Sequence, residues 1–97
     1  MPYLYLKADI FPDSTKKEDA IAAYQELIGH SVNETGCLLY DLVEDPNDPT
    51  VWHMFEKWES REAWDEHMKT DHVSKISLLE PSLTVRPTVL NFFVSVH

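Results

Sequence analysis

Two histidines and one carboxylate carry most of the chemistry this sequence can offer. Histidine is the side chain whose ordinary pKa lies close enough to neutrality to take and return a proton at physiological pH, so His67 and His72 are the natural general bases. Glu56 stands between Met54 and Trp58 on one side of an extended run, where a carboxylate must be paired, hydrogen-bonded or exposed. It is placed to orient a histidine or to hold a ligand hydroxyl. Each residue also has a packing alternative: His67 shares a helical face with Trp64 and Met68, and His72 follows a helix break where an imidazole can cap. The two histidines are separated by five positions rather than the four that put two metal ligands on one helix face, and no carboxylate of clear spacing joins them. No metal site is therefore expected. The only glycines, Gly29 and Gly36, leave no phosphate-cradling loop. The lone Cys37 excludes both an internal disulfide and an all-cysteine metal site, and fits a reducing compartment.

The elements that must hold these residues read clearly from periodicity. Tyr3 to Ile10 alternates, with Leu4, Leu6, Ala8 and Ile10 on one side and Tyr3, Tyr5, Lys7 and Asp9 on the other, which predicts a first strand. Thr15 with Glu18 has the form of a capping box, followed by Ile21, Tyr24, Leu27, Ile28 and Val32 at helical spacing, so a helix is expected to end before Gly36. Strands follow at Cys37 to Glu44 and Val51 to Trp58. They are joined through Asp45-Pro46-Asn47-Asp48-Pro49, a turn of about five residues. Ser60 caps a second helix bearing Ala63, Trp64, His67 and Met68. Thr70-Asp71 restarts it through Val73, Ile76 and Leu79, Pro81 stops it, and Val89 to Val96 forms the last strand. The order is β-α-β-β-α-β, a ferredoxin-like split βαβ fold of the α+β class, as one domain over residues 1–97. Two helices cover one face of a four-stranded antiparallel sheet. The other face carries Val51, His53, Phe55 and Lys57 of the third strand, too apolar to be left simply to water, so a second copy is expected to cover it.

Charge narrows the partners further. Seventeen acidic residues against eight basic ones give a formal −9, which repels phosphate backbones and anionic headgroups alike, so neither nucleic acid nor membrane is expected as a partner. No apolar stretch is long enough to span a bilayer, and the N-terminus lacks the pattern of a signal peptide. A cytoplasmic location is expected.

The segments Gly36-Cys37-Leu38-Leu39-Tyr40, Asp45-Pro46-Asn47-Asp48-Pro49, Phe55-Glu56-Lys57-Trp58, Ala63-Trp64-Asp65-Glu66-His67 and Thr70-Asp71-His72 follow the order and spacing of antibiotic biosynthesis monooxygenase domains. The chain resembles that family over nearly its whole length, most strongly from Gly36 to Val73. The resemblance implies a dimeric α+β barrel, two protomers joined sheet to sheet, with a pocket in each between sheet and helices. It also implies oxygenation of a small aromatic or quinol-like substrate by dioxygen without a bound cofactor. In that chemistry His67 or His72 removes a proton, Trp58, Trp64 and Phe55 form an aromatic slot, Glu56 holds a hydroxyl or a histidine, and Lys7 or Tyr40 stabilises an anion.

Three alternatives accompany this reading. The same base would serve an isomerase of a small phosphorylated or keto metabolite, although few basic residues are available for phosphate. A non-catalytic small-molecule-binding module would have its pocket filled by side chains. Removal of Met1 would expose Pro2 as an N-terminal amine base of the tautomerase kind. A haem-degrading role is not expected, because only Trp58 matches the residues such relatives use; the polar position of their first strand falls at Lys7, and their helix histidine falls near Ile76 and Ser77.

Overall fold

A computed structural model describes residues 2–97; Met1, on which the N-terminal amine idea turns, lies outside the described residues. The elements are β1 (Leu4–Ile10), α1 (Lys17–Ser31), β2 (Cys37–Asp45), β3 (Asp48–Trp58), α2 (Arg61–His67), α3 (Asp71–Leu83) and β4 (Val89–Val94). The four strands form one antiparallel sheet in the order β2-β3-β1-β4, so β1 and β3 are central and β2 and β4 are the edges. The split βαβ order read from the sequence is the order found, with the second helical segment divided in two. No helix among the described residues is long and apolar enough to cross a membrane.

Period-two alternation gives the sheet two different faces. Leu4, Leu6, Ala8 and Ile10 of β1 are buried under the helices, and Trp52, Met54, Glu56 and Trp58 of β3 lie beside them in register. From α1 the core receives Ala20, Tyr24 and Leu27, and from α3 Val73, Ile76 and Leu83. The inward stripe of α1 is thus rotated from the one expected: Ile21 and Val32 are exposed, while Ala20 and Ser31 are wholly buried. Small residues on that stripe let the helix backbone lie close to the sheet.

Four local expectations are corrected. The Thr15–Glu18 capping box does not form, because the Asp13 carboxylate engages both the backbone N–H and the hydroxyl of Thr15, at 2.9 and 2.7 Å, and α1 starts two residues later. The β2–β3 hairpin is tighter than five residues: Asp45 pairs with Asp48, leaving only Pro46-Asn47 in the turn, and β3 begins at Asp48. Pro81 does not end α3, which continues to Leu83. A proline one turn from the helix end removes a single hydrogen bond, and the last carbonyls are satisfied from outside. Asp13 N–H donates to the Leu83 carbonyl at 2.9 Å and Lys16 Nζ to that of Ser82 at 2.9 Å. The last strand also stops at Val94 rather than Val96.

The cap expected at Ser60 is present, and the break expected at Thr70-Asp71 carries a second cap. The Ser60 hydroxyl accepts from Ala63 N–H at 3.1 Å and starts α2, and the Thr70 hydroxyl accepts from Val73 N–H at 3.4 Å and starts α3. The Thr70 hydroxyl also donates to the His67 carbonyl at 2.7 Å, fixing the elbow at which the two helices change direction. Gly36, in the turn before β2, has φ +85°. A Cβ there would stand 2.7 Å from that of Ala63, so the turn lies against α2 in a way only glycine permits.

Candidate active site

The elbow turns His67 inward. Its side chain is almost fully buried at the end of α2, where it wedges between Tyr40 of β2 and Trp58 of β3, with ring centroids 5.3 and 4.7 Å away. Nδ1 lies 2.5 Å from Oε2 of Glu34, in the turn after α1, and the same oxygen lies 2.8 Å from Nε2 of His72 in the first turn of α3. One carboxylate oxygen therefore accepts from two imidazoles. Held as a donor at Nδ1, the neutral ring presents Nε2 as an acceptor, and the Tyr40 hydroxyl stands 3.4 Å from that atom. Burial lowers the pKa of His67 from its usual value, against the opposing pull of Glu34, so the ring is neutral at pH 7.

Beside it opens a cavity of about 260 Å³ between the sheet and α1–α3. At one end it is lined by Tyr40, Glu56, Trp64 and His67, and its walls are Ala8, Ile10, Leu27, Met54, Val73 and Ile76. Glu56 is buried, and its Oε1 accepts from the Trp58 indole N–H at 2.9 Å. Desolvation raises its pKa to about 7, so the carboxyl is about half protonated at neutrality. Burial, and secondarily Glu56, keep the Tyr40 phenol protonated and hence a donor. At the far end Glu80 accepts from the Tyr24 hydroxyl at 2.9 Å and from that of Thr88 at 2.6 Å. No lysine or arginine is among the lining residues.

Of the residues singled out from the sequence, the structure gathers His67, Glu56, Trp64 and Tyr40 around this cavity. It separates the others. Phe55 and Lys7 pair with each other on the opposite face of the sheet, because their neighbours Glu56 and Leu6 point inward, so neither can form the slot or an anion site within the protomer. Trp58 is fully buried and supports Glu56 from behind instead of lining the cavity. His72 does not reach the cavity; it packs outside His67, stacked on His30 at 5.2 Å, and connects through Glu34. Burial pushes the Cys37 thiol up to about 11, consistent with a packing role.

Sequence reasoning missed Glu34, Tyr24, Glu80 and Thr88. Glu34 comes from a turn 33 positions before His67, and the argument from spacing that found no carboxylate for the two histidines could not see it. Tyr24 and Glu80 were hidden in helical patterns that equally predict core and surface.

A four-stranded antiparallel sheet with helices on one face, and a cavity whose wall holds a carboxylate-bound histidine, define a small α+β protein with a buried imidazole beside its cavity. Residues 4–77 match the family described as antibiotic biosynthesis monooxygenase, and the chain belongs to that family. It is 33% identical over 69 residues to YcnE of Bacillus subtilis (strain 168), provisionally named a monooxygenase, spanning 71% of this chain and 73% of that protein. The structure of PA3566 from Pseudomonas aeruginosa superposes with a TM-score of 0.90 at 26% identity, covering 100% of this chain and 97% of that one. Rv0793 from Mycobacterium tuberculosis superposes at 0.91 with 24% identity over 98% and 96% of the two chains, a likeness of fold.

Proposed function

We propose that the chain is a cytoplasmic, homodimeric, cofactor-independent monooxygenase of a small phenol or quinol-like substrate, with each 97-residue protomer one domain. The observation that carries this reading is His67: a buried neutral imidazole, its Nδ1 proton held by Glu34 and its Nε2 at the wall of an aromatic cavity. A phenol bound there loses its proton to Nε2, displacing the long contact with Tyr40. The phenolate gives one electron to dioxygen, and the radical pair combines at a ring carbon. The resulting peroxide anion takes the proton back from His67, and the hydroperoxide so formed breaks its O–O bond, the departing hydroxide leaving as water with the ring C–H proton and a carbonyl remaining where the C–H stood. One oxygen atom enters the product and the other leaves as water, so the substrate supplies every electron. Protonated Glu56 donates to the oxygen that carries the developing charge, and the Tyr40 hydroxyl supports it.

The lining favours an uncharged substrate over a phosphorylated one, since it presents Glu56 and Glu80 and no cationic side chain. This weighs against isomerisation of a phosphorylated metabolite, and the open cavity weighs against a module whose pocket is closed by its own side chains. Dioxygen uptake with a panel of phenols and quinols in chelator-treated buffer tests the reading. At least one compound should be consumed, and His67→Gln should lower kcat by about 100-fold or more. No uptake with any compound, or equal rates in the variant, would remove the proposal.

A further inference from the structure

Glu34, His67 and His72 form a constellation that general-base chemistry at the cavity does not fully use. A base needs one carboxylate behind one imidazole; here two imidazoles converge on one oxygen from separate elements, the end of α2 and the first turn of α3. Their three nearest ligand atoms all lie within 4.8 Å of one another. We propose that this cluster is a binding site for a divalent transition-metal ion of the zinc type, held by His67 Nδ1, His72 Nε2 and a Glu34 carboxylate oxygen.

Two imidazole nitrogens and one carboxylate oxygen make the donor set of a three-ligand zinc centre, the fourth position being left to water. Tetrahedral coordination at about 2.0–2.2 Å places ligand atoms about 3.4 Å apart. The present 2.5 and 2.8 Å separations are those of proton-bridged pairs and the two imidazole nitrogens lie within 4.8 Å of each other, so to admit an ion the carboxylate must withdraw by somewhat under 1 Å and the partly exposed His72 must adjust toward His67. Glu34 belongs to a turn and carries a rotatable side chain, which allows that movement. Access and support are both in place. Side-chain exposures of 15% for Glu34 and 18% for His72 open the cluster to solvent on one side, while that of His67, at 2%, closes it on the other. The far nitrogen of His67 faces the Tyr40 hydroxyl at 3.4 Å, the kind of outer partner that fixes a ligating imidazole. The formal charge of −9 draws cations toward the surface. Metal and proton compete for the same atoms: an ion on Nδ1 would leave Nε2 of His67 protonated, so the loaded and the base-competent forms exclude one another and the site is tested by metal binding rather than by turnover.

Titration with Co(II), followed by visible absorption and then by displacement with Zn(II), tests the site. One ion per chain should bind with the intense bands of tetrahedral cobalt, and Zn(II) should abolish them. Glu34→Gln and His72→Gln should each weaken binding about tenfold or more, while His97→Ala, at an exposed imidazole, should leave it unchanged. Circular dichroism verifies that each variant is folded. Absence of tetrahedral cobalt bands at saturating metal, or bands that persist in both folded cluster variants, would overturn the proposal.

Discussion

At the residue scale, two titrating groups in one cavity set opposite demands on pH. His67 must be neutral to act as base, and its pKa lies below the usual histidine value because burial penalises the cation. Glu56 must be protonated to donate, and it loses its proton near 7. Turnover should therefore rise as His67 deprotonates below its ordinary pKa and fall above about 7 as Glu56 ionises. Glu56→Gln, which keeps a donor but cannot titrate, should remove the alkaline limb of the kcat profile and leave the acidic limb. The same group links pH to stability. Its folded pKa is raised from 4.5 to about 7, so the folded state holds this proton more tightly than the unfolded one. That contribution is complete below about 4.5 and is lost as pH rises through 7, roughly 3 kcal/mol in all. Denaturant titrations of wild type and Glu56→Gln should diverge across that window.

The site was partly legible at this scale. His67 and Glu56 could be chosen from residue type and position, because an imidazole on an apolar helix face and a carboxylate between Met54 and Trp58 both demand partners. Those partners were not legible. Glu34 and Glu80 reach the site across 33 and 56 positions, from Glu34 to His67 and from Tyr24 to Glu80, and no periodicity encodes such a meeting.

At the scale of elements, the pattern located all four strands and both sides of the helix break, because alternation and Ser/Thr caps are local signals. It erred where tertiary contacts decide. Asp13 took the hydroxyl of Thr15, and outside donors let α3 run past Pro81. The two glycines make a paired test of local against tertiary control. Gly36→Ala should cost about 1–2 kcal/mol from the left-handed backbone alone, with a further 1–3 from crowding Ala63, and should lower Tm by roughly 8 °C or more. Gly29 is exposed within α1, and a Cβ there meets nothing within 4 Å. Gly29→Ala should raise stability by about 0.5–1 kcal/mol in the same thermal melts.

At the scale of the whole molecule, the uncovered sheet face carries the argument for a second copy. Phe55 and Phe93 are 40% and 55% exposed there, and Leu39 and Val89 lie on the same side by their register. Light scattering should give twice the mass of one chain, and Phe55→Glu together with Phe93→Glu should give a monomer; a monomeric wild type would exclude the arrangement. The sequence indicated this face through the alternation of β3. It could not show that β4, an edge strand, is exposed on both sides.

The carboxylate of Glu34 has a mechanical role as well as an electrostatic one. It joins the turn after α1 to the end of α2 and the start of α3, so a single side chain pins three segments behind the His67 wall of the cavity. Such a pin makes the elbow open as a unit or not at all. With Glu34→Ala, amide exchange should quicken together across residues 61–73 while the paired core of β1 and β3 stays protected, and the cavity would gain a door on the side where it now has a wall.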